Sequence, residues 1–267
     1  MVRIIHCFWM GPEMPPAFKN NLERWKTCNP DFDIRLWTER NVDLSQLECA
    51  NWDGKERNPS MVSDLVRLHK LWEHGGWWLD TDIELFRPLD SMAERGERME
   101  IGYIFDCALG TAMFYAPPRH PYVAGLIRRY QIVRPDRVPV NNSVFTEYFV
   151  NEVPGFLLNG RRWENPLCRI FPKETFEQPS LPWQKGVAMH HCAGAWMGKK
   201  AGTDFLYNRP FPAASRTLKW AKRKIRTRME LSKNEFRPVF EAARNGRALR
   251  FSPEVYYQTG ELECPGK

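Results

Sequence analysis

The chain opens on a short hydrophobic run at residues 3–9, Arg-Ile-Ile-His-Cys-Phe-Trp, with the β-branched and aromatic content of a buried strand. Gly11-Pro12 ends it. Pro15-Pro16 then starts a helical stretch to about Cys28, in which Phe18, Leu22 and Trp25 recur at i, i+4 and i+7. Asn29-Pro30 breaks that helix, and residues 33–37 alternate polar and apolar as a second strand does. The most regular stripe follows. Met61, Leu65, Leu68 and Trp72 stand at 4-3-4 spacing and predict a helix over residues 60–74, stopped by Gly75-Gly76. Asp64 and Arg67, three apart, fall on the flank of that stripe, at the boundary between core and solvent. Residues 77–86 read as one strand ending near Arg87-Pro88.

Further on, residues 101–105 and 111–115 have the pattern of short strands, 122–132 and 144–153 that of helices, and 187–191 that of a last core strand. Strand, helix, strand within the first 40 residues is the opening of an α/β nucleotide-binding layer. Residues 1–204 are expected to form that domain. Residues 205–267 are expected to be a mainly helical extension, with helices at 215–231 and about 235–245.

Charge separates the same two parts. Residues 205–267 hold 14 Lys and Arg against 6 Asp and Glu, whereas the first 204 residues hold 25 and 26. Any contact with a membrane surface or a nucleic acid therefore belongs to the tail. Arg216, Lys219, Lys222, Arg223, Lys224, Arg226 and Arg228 crowd together around Trp220 without an acidic residue among them. That run fits a membrane-surface helix, a nucleic-acid contact or a plain solvated face.

No window approaches the roughly 18 apolar residues of a membrane span, and the N-terminus lacks the pattern of a signal peptide. The seven cysteines are scattered, with no C-x-x-C among them. This argues against a cysteine zinc site and a disulfide framework, and predicts a cytoplasmic protein with reduced thiols. The 11 Trp suggest either a heavily aromatic core or stacking surfaces.

Asp80 and Asp82 follow the apolar Trp77-Trp78-Leu79, at the end of a core strand, and the carboxyl edge of an open α/β sheet is where ligands bind. Two carboxylates at i and i+2 of an extended segment project to one side and repel unless a cation neutralises them. Oxygen ligands of this kind suit Mn²⁺ or Mg²⁺. D-x-D alone is a weak motif. Phosphatases of the haloacid-dehalogenase type also carry it, but on the first strand and with Thr or Val two positions later, where this chain has Glu84.

The context is more specific. Residues 63–68, Ser-Asp-Leu-Val-Arg-Leu, followed by Gly75-Gly76-Trp77-Trp78-Leu79-Asp80-Thr81-Asp82, resemble the S-D-x-x-R…G-G-x-Y-x-D-x-D pattern of the DXD-motif sugar transferases. That family includes the yeast outer-chain mannosyltransferase, capsular polysaccharide transferases and, more distantly, the glucosyltransferase domains of the clostridial large toxins. Ile4-Ile5-His6-Cys7-Phe8-Trp9-Met10-Gly11 is similar to the family's I-I-H-x-x-W-x-G, and residues 190–196, His-His-Cys-Ala-Gly-Ala-Trp, to its H-H-x-x-x-S-W. Two departures stand out: Ala195 where the family has Ser, and Asn141-Asn142-Ser143 where it commonly has Thr-Gly-Pro.

The resemblance implies a GT-A-type, Rossmann-like mixed sheet flanked by helices. It implies transfer of a sugar, with retention, from a UDP- or GDP-sugar to a glycan, a protein or a modified nucleic acid. Asp80, Asp82 and Arg67 would carry the reaction. Trp9, Asp64, Arg67, Asp80 and Trp196 would bind the donor, and Asp82, Asp80 and His191 the metal. Since strand residues alternate, only one of His190 and His191 is expected to face the site, and the family pattern favours His191. Trp9 either stacks on the base or ends a core strand. Asp106, Asn141 and Glu147 are candidate acceptor-side groups. The competing class is a non-catalytic protein on a degenerate transferase fold, binding nucleic acid or a membrane through its basic helix.

Overall fold

The computed structural model describes residues 1–47, 59–92, 96–132, 141–178, 186–193, 221–222, 224–225, 227–229 and 231–252. A seven-stranded mixed sheet runs through its centre. In chain order the strands are β1 (Ile4–Phe8), β2 (Asp33–Trp37), β3 (Gly76–Leu79), β4 (Ile83–Leu85), β5 (Met99–Phe105), β6 (Ala108–Ala116), β7 (Trp163–Glu164), β8 (Cys168–Phe171) and β9 (Ala188–His190). The sheet order is β2-β1-β3-β6-β5-β8-β7, and β4 with β9 forms a separate two-stranded ladder. Helices α1 (Pro16–Cys28), α2 (Pro59–His74), α3 (Pro121–Ile132), α4 (Asn141–Glu152) and α5 (Arg237–Arg244) flank it. This is the α/β mixed sheet flanked by helices that the residue pattern and the family resemblance implied.

Alternation along the strands assigns the two faces. Phe8, Trp78, Ile101 and Phe114 pack with Leu65 and Leu68 of α2, Val123 of α3 and Phe145 of α4. Their neighbours Ile5, Cys7, Trp77, Leu79, Met113 and Tyr115 turn to the other face, against Trp25 of α1 and Phe32. Trp25, Trp77 and Trp78 are fully buried, so these three tryptophans belong to the core. α5 joins the first face: Val239 and Phe240 lie in that cluster with Phe236 and Phe251. Asn151 of α4 exchanges two hydrogen bonds with the backbone of Phe251.

Gly75 and Gly76 do more than stop a helix. Both have positive φ, and a Cβ at Gly76 would lie 2.6 Å from the Ile4 carbonyl oxygen. The chain can turn directly from α2 into β3 only because neither carries a side chain.

Two expectations need correction. Residues 77–86 are not one strand: the Ile83 amide donates to the Asp80 carbonyl at 2.9 Å, closing a turn that separates β3 from β4. Among the described residues β9, expected in the main core sheet, pairs only with β4. The edge strand β7 and its neighbour β8 had no clear signal, being two and four residues long. Part of the basic helix expected over 215–231 lies outside the described residues; 221–222, 224–225 and 227–229 are helical.

Candidate active site

β1 is parallel to β3, so their carboxyl ends meet at one edge of the sheet. Trp9 follows β1 there and Asp80 follows β3. The Asp80 amide is anchored to the Ala112 carbonyl of β6 at 2.7 Å. The aspartates thus sit in a tight turn leaving the sheet, and the turn, not strand alternation, brings them together.

Below them, α2 presents Asp64 and Arg67. Both are buried, 7% and 3% exposed, rather than lying at the solvent boundary as the helical stripe suggested. Nor are they chiefly an i, i+3 pair. Arg67 Nη2 lies 3.6 Å from Asp64 Oδ1 but donates to Asp80 Oδ1 at 2.7 Å. The indole N–H of Trp78 donates to the same oxygen at 2.8 Å, and the guanidinium carbon lies 5.2 Å from the centre of a Trp78 ring. Arg67 Nε and Nη1 are buried without a hydrogen-bond partner among the described residues. A buried cation with two unsatisfied N–H positions suits an anion with several oxygens.

Asp64 has its own support. Asn141, the first residue of α4, donates from Nδ2 to Asp64 Oδ1 at 2.7 Å and to Thr111 Oγ1 at 3.0 Å. The Tyr130 hydroxyl donates to Asn141 Oδ1 at 2.5 Å. Asn141 therefore holds Asp64 in place. Asp106 and Glu147, the other two acceptor-side candidates, are paired with Lys173 and Arg129.

Asp82 faces the other way along the turn. Its Oδ2 accepts the Ala193 amide at 2.7 Å, and its Oδ1 lies 3.4 Å from His190 Nε2. Among the described residues, Asp80, Asp82 and His190 form the cluster able to hold a metal ion, their ligand atoms all within 4.8 Å of one another. The expected His191 is not in it. His191, just after β9, instead has its Nε2 3.0 Å from Glu84 Oε2. Trp196, with Ala195, lies outside the described residues. Trp9 is half-buried against Phe18, donates from Nε1 to the Pro12 carbonyl at 2.7 Å, and packs in the same small cluster as Ala193. It therefore borders the loop that caps Asp82.

The charges are strongly coupled. Burial pushes the Asp64 carboxyl up to about 7, against the pull of Arg67. Burial also raises Asp80, with Asp82 adding to the rise and Arg67 offsetting part of it. Asp82 goes the other way: burial alone would raise it, but His190 and the Ala193 amide hold it at about 2. Burial opposes charge on His190, yet Cys192, Asp82 and Glu177 outweigh it and raise the imidazole well above its ordinary range. Carboxylates crowding around one guanidinium and one imidazole make a site for a further cation.

Comparison with known proteins finds similarity over the segment that holds the aspartate turn. Residues 15–98, which contain α1, α2 and the aspartate turn, match the family of the glycosyltransferase sugar-binding region containing DXD motif. The chain carries a DXD glycosyltransferase sugar-binding region. Similar proteins include inositol phosphoceramide mannosyltransferase 1 of Schizosaccharomyces pombe, 25% identical over 170 residues, which are 58% of this chain and 49% of that protein. Subversion of eukaryotic traffic protein A of Legionella pneumophila is 26% identical over 111 residues, 32% of this chain and 17% of that one. The match thus spans about half of the first relative and a smaller part of the second. Among solved structures, the PaToxG glycosyltransferase superposes with a TM-score of 0.44 at 16% identity, over 57% of this chain and 69% of that one. The sugar-binding region supplies Asp64, Arg67, Asp80 and Asp82; His190 and Asn141 come from outside it.

Proposed function

We propose that the chain transfers a sugar from a nucleotide-diphosphate donor, UDP- or GDP-linked, to an acceptor, with Mn²⁺ or Mg²⁺ held by Asp80, Asp82 and His190. The observation that carries this reading is the meeting of that cluster with Arg67, whose Nε and Nη1 have no partner among the described residues. The bound metal would stabilise the negative charge that grows on the leaving diphosphate.

The remaining work falls to the protein's own groups. Arg67 reaches a phosphate oxygen with its unpaired N–H groups while Nη2 stays on Asp80. Asp64, held by Asn141, accepts a hydrogen bond from the donor sugar. Trp9, at the end of β1, offers a flat apolar surface to the base.

The test is donor hydrolysis and transfer with a panel of UDP- and GDP-sugars, with and without Mn²⁺. Turnover of at least one donor is expected, dependent on the metal and abolished by Asp82→Asn. If no donor turns over, and Asp82→Asn leaves nucleotide binding and its metal dependence unchanged, the reading fails.

A second reading concerns the acceptor. Ile225 and Met229, one helical turn apart, are 61% and 52% exposed, with Lys222 and Arg228 exposed beside them. Exposed aliphatic side chains among basic ones favour an anionic bilayer surface over a nucleic acid. The name of the fission-yeast relative, an inositol phosphoceramide mannosyltransferase, supports a lipid acceptor for this chain. Co-sedimentation with anionic vesicles should be lost in an Ile225→Ser/Met229→Ser double variant; equal binding by both forms would sink it. Among the described residues no helix is long and apolar enough to cross a membrane.

A further inference from the structure

One buried carboxylate beside the site has no part in the reaction as described. Glu177 follows β8 at the end of a turn closed by its own amide donating to the Lys173 carbonyl at 3.0 Å, and its side chain is 4% exposed. Its Oε2 lies 2.8 Å from His190 Nδ1. Its carbonyl oxygen accepts the His190 amide at 3.1 Å. The same residue thus grips His190 by both backbone and ring. The sheet makes room for it: a Cβ at Gly110 of β6 would lie 2.6 Å from Glu177 Oε1.

The consequence is geometric. With Nδ1 directed at Glu177, the ring can only turn Nε2 toward Asp82 Oδ1 and the neighbouring Asp80. Cys192 Sγ, 3.6 Å from the same Nδ1, is a weaker rival for that proton. Histidines that bind metals commonly donate their second ring N–H to a carboxylate, which fixes the tautomer, orients the ring and strengthens the ligating nitrogen. The carboxylate here comes from a segment some 95 residues beyond the D-x-D turn, outside the matched sugar-binding region.

We propose that Glu177 is a positioning residue that keeps the proton of His190 on Nδ1 and presents Nε2 to a divalent cation shared with Asp80 and Asp82. The inference rests on the metal reading given above. Its test is Mn²⁺ binding to the full chain, followed by the electron paramagnetic resonance signal of the free ion, beside urea unfolding in EDTA. Glu177→Gln keeps the size and a hydrogen-bond acceptor but removes the charge. It should raise the Mn²⁺ Kd by about 10–100-fold with little change in the unfolding midpoint. An unchanged Kd with a lowered midpoint would make the contact structural and overturn the proposal. Glu177→Asp, which keeps the charge but draws the carboxylate back, is read against the same two outcomes if the amide variant does not fold. The two readings separate in the wild type. Bound Mn²⁺ should show imidazole nitrogen coupling by pulsed resonance, and its absence would remove His190 from the metal shell before Glu177 is considered.

Discussion

Replacing Arg67 with Met removes the guanidinium while keeping an unbranched apolar stem in a position only 3% exposed. Asp80 would lose its 2.7 Å bond from Nη2 and keep the one from Trp78. A hydrogen bond to a charged group is worth about 1.5–3 kcal/mol, and removing one partner of a buried ion pair costs about 3–5 kcal/mol. Asp64 moderates the loss. Its carboxyl, already pushed up to about 7, takes a proton once the neighbouring charge is gone, so Asp80 is the one anion left without its guanidinium, with His190 offsetting part of the loss. We expect Arg67→Met to lose about 3 kcal/mol at pH 7.5, a large share of the roughly 5–15 kcal/mol that holds a domain together.

Urea unfolding in EDTA of the wild type, Arg67→Met, Asp80→Asn and the double variant measures it. In the double variant the stranded charge is absent, so its loss should fall short of the summed single losses by at least about 1.5 kcal/mol. A single loss under about 1 kcal/mol together with additive behaviour would refute the claim that Arg67 compensates Asp80 in the core.

Three further outcomes follow from other parts of the molecule. His190→Ala should weaken Mn²⁺ binding at least about tenfold, whereas His191→Ala, whose ring lies on Glu84, should leave it within about twofold, both read by calorimetry. His6 is fully buried, accepts from Trp37 Nε1 and bonds the Gly75 carbonyl through Nε2; burial lowers its pKa to about 4. Because that lies below the unfolded value near 6.5, its contribution is complete above pH 6.5 and is lost as pH falls toward 4. The loss is up to about 3 kcal/mol, and a His6→Phe variant should lack this acid-dependent component in urea titrations across that range. Gly76→Ala, forced to φ 112° with its Cβ 2.6 Å from a carbonyl oxygen, should cost about 1–3 kcal/mol and lower the thermal midpoint by several degrees, while Gly11→Ala, with nothing within 4 Å, should cost less.

Local pattern carried much of the fold. The 4-3-4 stripe of α2, the Pro15-Pro16 start of α1 and the apolar runs of β1, β3 and β6 are readable because each element packs one face or two against a core, and burial imposes its period on the residues. The motif spacing carried the sugar-binding region in the same way: Asp64, Arg67, Asp80 and Asp82 lie within 19 consecutive positions on a helix, a glycine turn and a strand end. Their close approach follows from local geometry.

What lay beyond local pattern depended on contacts between distant segments. Alternation said that at most one of His190 and His191 faces the site, but the clustering of His190 with Asp80 and Asp82, and of His191 with Glu84, depends on contacts made across more than 100 residues of chain. Asp64 and Arg67 read as boundary residues on their own helix; the turn after β3 and Asn141 of α4 cover them. The continuous-looking run at 77–86 is cut in two because the chain folds back at Asp80, a hydrogen bond that no hydropathy pattern encodes. Glu177 and Gly110 carry no motif at all, and their relation to His190 exists only where β5, β6 and β8 bring three stretches of chain together. The amino-acid sequence by itself determined which charged side chains stand close together along the chain; the tertiary structure decided which of them meet, because ring orientation and charge compensation are set by neighbours far away along the chain.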